Sequence, residues 1–300
     1  MSEASQKLTK NENSKGQTPS EKNLKKQLRR EEKVLKKAKK REDKQLLHEA
    51  KAQEKADRKA DAQWDKQQRM EEKHASPAYR AKQEKKARMR KKNEPPRRSI
   101  LEEVGNAVTH GVGALMSIIG LVLLLLRSDT PLKRFAAILY STCLILLYLM
   151  SCLYHAFPAG TTVKRLWRRF DYSSIYLLIG GTFAPIFLVW WQSPLALPLF
   201  LVQWVLIILG VTIIGVFGPA TLKAVHTAMY IIMGWSALLF LPDMVRDSMP
   251  LFLLILSGGI FYTLGIIPFA LKKKGAHFIW HLFVLLGSLA HWLGIYLYIF

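Results

Sequence analysis

The sequence contains very little cysteine, which limits the kinds of fold it can adopt. Only Cys143 and Cys152 occur among 300 residues, nine positions apart within one apolar stretch. A helix would separate their Cα atoms by about 13 Å, which is too far for a disulfide bond. A small domain held together by disulfides is therefore excluded, and both thiols are expected to fill space inside one helix.

Glycine is absent from the first third of the chain between Glu21 and Lys92, and Pro77 is the only proline there. Residues 1–98 contain 32 Lys and Arg against 16 Asp and Glu, whereas residues 101–300 contain 12 and 6. Leucines begin a heptad stripe, but Glu42 interrupts it, so a sustained coiled coil is not expected. Residues 1–98 are predicted to be a basic tail, partly helical or disordered, without a packed core.

The charge of this tail suggests its partners. Lys and Arg beside a membrane attract acidic lipids by roughly 1 kcal/mol each, so anionic lipid headgroups are the expected partner and nucleic acid is the alternative. A solvated arm without a partner is the simplest interpretation. The segment "NEPPRRS" at 93–99 is predicted to end any helix before the next part of the chain.

Apolar runs of membrane-spanning length follow one another from Leu101 onward. No apolar core precedes them, so we expect no signal peptide, and the first span should direct insertion. The predicted fold is all-α: a polytopic membrane bundle of seven transmembrane helices over residues 101–300, with a basic N-terminal extension. The predicted spans are 107–126, 135–157, 171–191, 197–217, 222–241, 250–270 and 277–299.

The loops between these spans differ in positive charge. One set of loops contains eight basic residues, namely Lys164, Arg165, Arg168, Arg169, Lys223, Lys272, Lys273 and Lys274. The other set contains Arg127, Lys133, Arg134 and Arg246. The positive-inside rule predicts a cytoplasmic N-terminus and an extracellular C-terminus in the cytoplasmic membrane.

Four polar residues fall at one depth in this topology. His155 ends the second span, Asp171 begins the third, and His277 and His281 begin the seventh, all at the predicted cytoplasmic face. The i, i+4 spacing of the last pair puts both rings on one side of a helix. Histidine is costly in a bilayer unless it has a partner, so this convergence predicts a functional site.

Three neutral imidazoles with an open fourth position are the ligand set that catalytic zinc favours, because zinc lowers the pKa of a water in that position. We therefore predict a Zn²⁺ site at His155, His277 and His281. Asp171 would orient a ligand or accept the water's proton. Ser151, one turn before His155, would polarise a substrate carbonyl or bond the water.

Other polar residues are predicted to support the site. Glu103, Asn106 and His110 share one helical face and are interpreted as substrate contacts or as supports of the metal ligands, with ordinary helix packing as the alternative. His226 is interpreted as interfacial. His291 lies about 15 Å deeper than His281 and is expected to be a buried hydrogen-bonding group.

Four motifs together resemble the hemolysin III family. They are "EEVGNAVTHGVGA", "SCLYH", "DYSSIYLLIGGTFAP" and "HFIWHLFVLLGSLAH". That family belongs with the progestin and adipoQ receptors and the alkaline ceramidases in a superfamily of seven-span metal-dependent hydrolases. The resemblance implies a zinc site at Ser151, His155, Asp171, His277 and His281. Tyr172 stands where many bacterial members have histidine, and the basic tail is outside the family pattern.

Two classes of function follow from these observations. The first is a zinc-dependent hydrolase of an amide- or ester-linked membrane lipid, by analogy with ceramidases. The second is a cytolytic, pore-forming protein or a non-enzymatic regulator of membrane state. The crowding of polar residues at one level disfavours a pore, and the lack of lysine in the seventh span disfavours a retinal protein.

Overall fold

A computed structural model describes residues 19–271 and 273–300, and over these residues the regular structure is helical, with no strand. The chain divides into two compact units, one extending to Gln83 and one comprising Glu84–Phe300. The predicted all-α membrane bundle is confirmed. The predicted domain boundary near residue 98 remains a prediction.

The described part of the basic extension, from residue 19 onward, forms two helices, α1 (Pro19–Ala75) and α2 (Pro77–Lys92). Lys, Glu, Gln, Ala and Arg are strong helix formers, which explains 57 residues of helix without a core. Ion pairs between Lys36 and Glu32 and between Arg58 and Glu54, both at 2.6 Å, add local support. Residues 94–99 are not helical, as the two prolines of this segment predict.

Eight further α-helices follow among the described residues. They are α3 (Ile100–Leu126), α4 (Pro131–Ala156), α5 (Thr162–Pro185), α6 (Ala196–Phe217), α7 (Lys223–Trp235), α8 (Leu241–Asp247), α9 (Met249–Ala270) and α10 (Ala276–Tyr298). A π-helical turn, Ile186–Trp190, prolongs α5. Helices α3, α4, α5, α6, α9 and α10 are each long and apolar enough to cross a membrane. They correspond to six of the seven predicted spans.

The remaining predicted span, 222–241, is not one continuous helix. After α7 the chain forms a 3₁₀ turn, Ser236–Leu239, and α8 then leaves at an angle of 45°. Pro242 lies in the first turn of α8, where its missing N–H and its ring prevent a continuous helix from crossing this point. If α7 and α8 together form one broken span, the bundle has seven.

The first span begins earlier than its apolar run suggests. Ser99 caps α3 in a capping box: its hydroxyl accepts from the Glu102 N–H, and the Glu102 carboxylate accepts from the Ser99 N–H. The predicted start at residue 107 is therefore seven residues too late. Glu103 and Asn106 consequently lie on the first turns of α3, at the same end of the bundle as the end of α4 and the start of α10.

Consecutive helices from α3 to α6 pack against each other, as do α9 and α10, and α10 also packs against α3, which brings the first and last helices of the bundle together. Large aliphatic side chains cover the outer surface, for example Leu201, Val205 and Ile208 on α6. Exposed apolar side chains on several sides of a bundle are expected where lipid replaces water. Cys143 and Cys152 are free thiols within α4, as predicted.

Asn93 joins the segment before α3 to the end of α6. Its amide donates to the Phe217 carbonyl at 2.9 Å, and its side-chain oxygen accepts from the Ala220 N–H at 3.0 Å. Gly218 has φ of 80°, and a Cβ there would lie 2.4 Å from the Asn93 side chain. Arg168 donates to the Asn93 carbonyl at 2.9 Å, so this turn is tied to both α5 and α6.

Candidate metal centre

Three histidines from α4 and α10 meet at one end of the bundle. His155 lies on the last turn of α4, and His277 and His281 lie on the first two turns of α10. One ring nitrogen of each lies within 4.8 Å of the other two. His155 and His281 are buried, with 2% and 1% of their surface exposed. The predicted convergence of these residues is therefore present.

Hydrogen bonds indicate which nitrogen of each ring faces the centre. The Nδ1 of His155 lies 2.6 Å from Oε2 of Glu103, so Nδ1–H donates to the carboxylate and Nε2 keeps its lone pair. The Nδ1 of His281 lies 3.3 Å from Oγ1 of Thr109. Thr109 uses its own hydrogen toward the carbonyls of α3, so its oxygen accepts from His281. Both rings thus leave Nε2 free.

The three nitrogens lie close enough together to hold a metal ion. The Nε2 atoms of His155 and His277 are 3.3 Å apart. Two nitrogen ligands at 2.0–2.1 Å in a tetrahedral site are about 3.3 Å apart, so the observed separation equals one edge of that tetrahedron. The same distance also suits a direct hydrogen bond between the imidazoles, and metal analysis distinguishes the two.

Glu103 connects His155 to a buried lysine. Its Oε1 lies 3.0 Å from Nζ of Lys164, a residue with no exposed surface. Lys164 also donates to the Phe157 carbonyl at 2.9 Å and lies over the Tyr154 ring at 4.9 Å. A buried ammonium needs such partners, and the carboxylate gains a counter-charge that keeps it ionised beside the histidine.

Sequence reasoning assigned Lys164 to a loop, as part of the positive-inside pattern. The structure instead places it on the first turn of α5, with Arg168 and Asp171 one and two turns later on the same face. The i, i+4, i+7 spacing of three charged residues would have indicated a charged face inside the bundle. Thr109 was missed for a simpler reason, because threonine is common in membrane helices and carries no metal signal.

Asn106 and His110 lie beside the histidines rather than among the converging nitrogens. The Asn106 amide nitrogen is 3.4 Å from Nδ1 of His155. The His110 ring stacks on His281 with centroids 3.6 Å apart, and neither of its nitrogens has a hydrogen-bond partner among the described residues. Both residues are buried, so they support the shape and polarity of the site.

Asp171 and Ser151 lie next to each other at the same end of the bundle. The Asp171 carboxyl group is beside the Ser151 hydroxyl and within electrostatic range of His155. Among the described residues, the close group of possible metal ligands contains the three histidines and not Asp171.

A cavity of about 170 Å³ begins at this site and extends into the bundle. His277, His281, Ser151 and Asp171 line its polar end, whereas leucine, isoleucine and aromatic side chains of α5, α7, α9 and α10 line the remainder. His291 borders the deeper part, where its Nε2 donates to the Ile255 carbonyl at 2.9 Å. His226 pairs with the Tyr176 hydroxyl at 2.8 Å and is not among the residues that line the cavity.

Residues 98–292 match the family model described as haemolysin-III related. The chain belongs to the haemolysin-III related family. Within it, hemolysin-3 of Bacillus cereus is 38% identical over 194 residues, which cover 63% of this chain and 88% of that protein. The hemolysin-3 homolog of Bacillus subtilis strain 168 is 34% identical over 197 residues, covering 64% and 92%.

A more distant relative comes from animals. Human monocyte to macrophage differentiation factor is 29% identical over 208 residues, covering 66% of this chain and 85% of that protein. All of the predicted site residues, from Glu103 to His291, lie within the haemolysin-III match, whereas α1 and α2 precede it. The family match thus covers most of the membrane bundle, and helices α1 and α2 lie outside it.

Proposed function

We propose that this haemolysin-III related protein is a zinc-dependent hydrolase of an amide- or ester-linked membrane lipid. The observation that carries the proposal is the meeting of three imidazole nitrogens beside an apolar cavity that His277, His281 and Asp171 line. Metal-ligand geometry, a proton acceptor and an apolar pocket are the three components that lipid hydrolysis within a bilayer needs.

The side chains at the polar end have separable roles in this proposal. His155, His277 and His281 would hold the ion. Bound zinc would polarise the substrate carbonyl and acidify water at this point. Asp171 accepts the proton from the attacking water, and Ser151 donates a hydrogen bond that orients either the Asp171 carboxylate or the substrate carbonyl oxygen.

The cavity suits part of a lipid rather than a whole one. Its volume of about 170 Å³ is below the 300–1,000 Å³ of pockets that enclose a drug-sized ligand. An acyl chain would occupy the apolar part and place its amide or ester bond beside the histidines. The rest of the lipid would remain in the bilayer.

We place the site on the cytoplasmic side of the cytoplasmic membrane. The excess of Lys and Arg at the end of the bundle that holds the histidines supports an inside N-terminus and an outside C-terminus. Substrate would therefore reach the site from the inner leaflet.

Cytolysis or regulation of the membrane is the second candidate function. The name hemolysin-3 of the Bacillus cereus relative favours it. Against a pore, the metal-ligand histidines and Asp171 gather at one end of the bundle instead of lining a path across it. Lysis that persists after the metal site is destroyed would support this second function.

The test of the proposal combines metal content with turnover. Purified protein in detergent should contain about one zinc per chain and should release fatty acid from a lipid extract, and a chelator should abolish the release. Bound zinc without lipid turnover would indicate a structural or sensory metal site. Turnover that survives complete removal of metal would contradict a zinc-dependent hydrolase.

A further inference from the structure

Helix α1 contains an internal repeat of 11 residues. Segments 24–34, 35–45, 46–56 and 57–67 each have an acidic residue at the ninth position and lysine at the tenth. Because 11 residues make three turns at about 3.67 residues per turn, equivalent positions stay on one face along the helix. The four acidic–basic pairs are Glu32–Lys33, Asp43–Lys44, Glu54–Lys55 and Asp65–Lys66.

One face of α1 is uniformly basic. Starting at Lys26, positions three or four residues apart form a single row along the helix as far as Lys59. Nine of these ten positions hold Lys or Arg, the tenth holds His48, and none is acidic. We call this row the basic ridge. Its members are Lys26, Arg29, Lys33, Lys37, Lys40, Lys44, His48, Lys51, Lys55 and Lys59.

The charges of the ridge are not neutralised within α1. All ten side chains are exposed, and among the described residues none of them forms a salt bridge. The two ion pairs of this helix use Lys36 and Arg58, which lie outside the row. The acidic residues lie on the opposite half of the helix together with Leu24, Leu35 and Leu46, so positive charge is segregated to one side.

The dimensions of the ridge favour a broad anionic surface. From Lys26 to Lys59 it extends about 50 Å, with one charge roughly every 5 Å. A helix lying on a bilayer brings every charge of the ridge near lipid phosphate at once. The surface of a nucleic acid duplex is curved, so a straight helix such as α1 would contact it with only part of the ridge. Helices α3 to α10 also tether this chain to a membrane, which raises the local concentration of lipid.

We propose that the basic ridge of α1 docks on the headgroups of an anionic bilayer. Leu24, Leu35 and Leu46 face away from the ridge, and Leu47 lies at its flank. Contact is therefore mainly electrostatic and peripheral. Salt should therefore weaken it strongly, because exposed charge pairs are screened. The docking is independent of the proposed hydrolase chemistry.

The repeat provides a test at constant net charge. Each lysine of the four pairs directly follows an acidic residue, so exchanging the two residues of each pair preserves composition. The exchanges move three carboxylates onto the ridge and a fourth, at position 66, onto the same face two turns beyond its end. The exchanges are Glu32→Lys with Lys33→Glu, Asp43→Lys with Lys44→Asp, Glu54→Lys with Lys55→Glu, and Asp65→Lys with Lys66→Asp. The matched control changes the four lysines to arginine and keeps every charge in place.

The full chain is reconstituted in phosphatidylcholine nanodiscs and floated with separate vesicles. Vesicles contain either phosphatidylcholine alone or about 30% phosphatidylglycerol. Wild type and the arginine control should bind only the anionic vesicles, and about 0.5 M salt should release them. The exchanged variant should bind at least about tenfold more weakly. Equal binding of the exchanged variant and wild type would show that only net charge matters and would overturn the proposal.

Circular dichroism shows whether the exchanged variant keeps the helix. A second variant changes Lys33, Lys44, Lys55 and Lys66 to glutamine and leaves the acidic residues in place. This variant must also lose binding to anionic vesicles. If it still binds as wild type does, the proposal is wrong even when the exchanged variant has lost its helix. A DNA duplex added at the same salt tests the other partner. Binding to duplex without binding to anionic vesicles would overturn docking on lipid in favour of nucleic acid.

Discussion

Replacing Glu103 by glutamine tests whether this carboxylate holds His155 for the metal. The carboxylate accepts from Nδ1 of His155 at 2.6 Å, a length typical of a charge-assisted hydrogen bond. Loss of such a partner usually lowers metal affinity 10- to 100-fold, which corresponds to about 1.4–2.8 kcal/mol. We expect Glu103→Gln to lower zinc affinity by an amount within this range.

The same substitution also leaves Lys164 buried beside a neutral amide. Breaking one half of a buried ion pair commonly costs about 3–5 kcal/mol of stability, so reduced stability and reduced metal affinity must be separated. The double variant Glu103→Gln with Lys164→Met removes the lysine charge and should recover part of the stability. It should not recover metal affinity, because Nδ1 of His155 still lacks its carboxylate.

Competition with a chromophoric chelator measures zinc affinity, and thermal unfolding in detergent with and without zinc measures stability. Glu94→Gln is the matched control, since Glu94 pairs with Arg165 at 3.3 Å and touches none of the histidines. Zinc affinity of Glu103→Gln within twofold of wild type would refute the reasoning. An equal loss of zinc affinity in the Glu94→Gln control would also refute it.

Four further results are expected. Asp171→Asn should retain zinc while hydrolysis falls about 10²–10⁴-fold, as measured by fatty-acid release, because the amide cannot accept a proton; loss of zinc with this change would instead indicate a ligand or a structural role. His281→Ala should lose most bound zinc in elemental analysis, and equal zinc in both proteins would remove His281 from the site. A reporter fused after Phe300 should report an extracellular C-terminus, and a cytoplasmic signal would move the metal site to the other face. Deletion of residues 1–83 should leave insertion and zinc content unchanged, because the Asn93 turn that ties α3 to α6 remains; failure to insert would make the extension structural.

Local patterns predicted most of the secondary structure. Hydropathy located six continuous spans because a backbone in lipid must satisfy its own hydrogen bonds, and an apolar run of about 20 residues does so as a helix. Predicted and observed limits of the last span, 277–299 and Ala276–Tyr298, differ by one residue at each end. The break after α7 was missed because its residues are as apolar as those of a continuous span.

Depth along a helix was also predictable, and this identified the histidines. Residue count and topology put His155, His277 and His281 at one level because each helix rises about 1.5 Å per residue. The resemblance to the hemolysin III family selected the same residues, and the family match confirms that relationship. Sequence therefore identified the three histidines that come together and their place along the helices.

Tertiary structure alone decided how these residues meet. Whether Nε2 of His155 faces Nε2 of His277, 122 residues away, depends on how α4 and α10 rotate against their neighbours. The link from Glu103 to Lys164 likewise needs α3, α4 and α5 in contact, and a lysine counted as a loop charge becomes a buried partner of the site. Hydropathy and periodicity are local properties of one helix, whereas the rotation of a helix is set by side chains packed between helices, which no single segment contains.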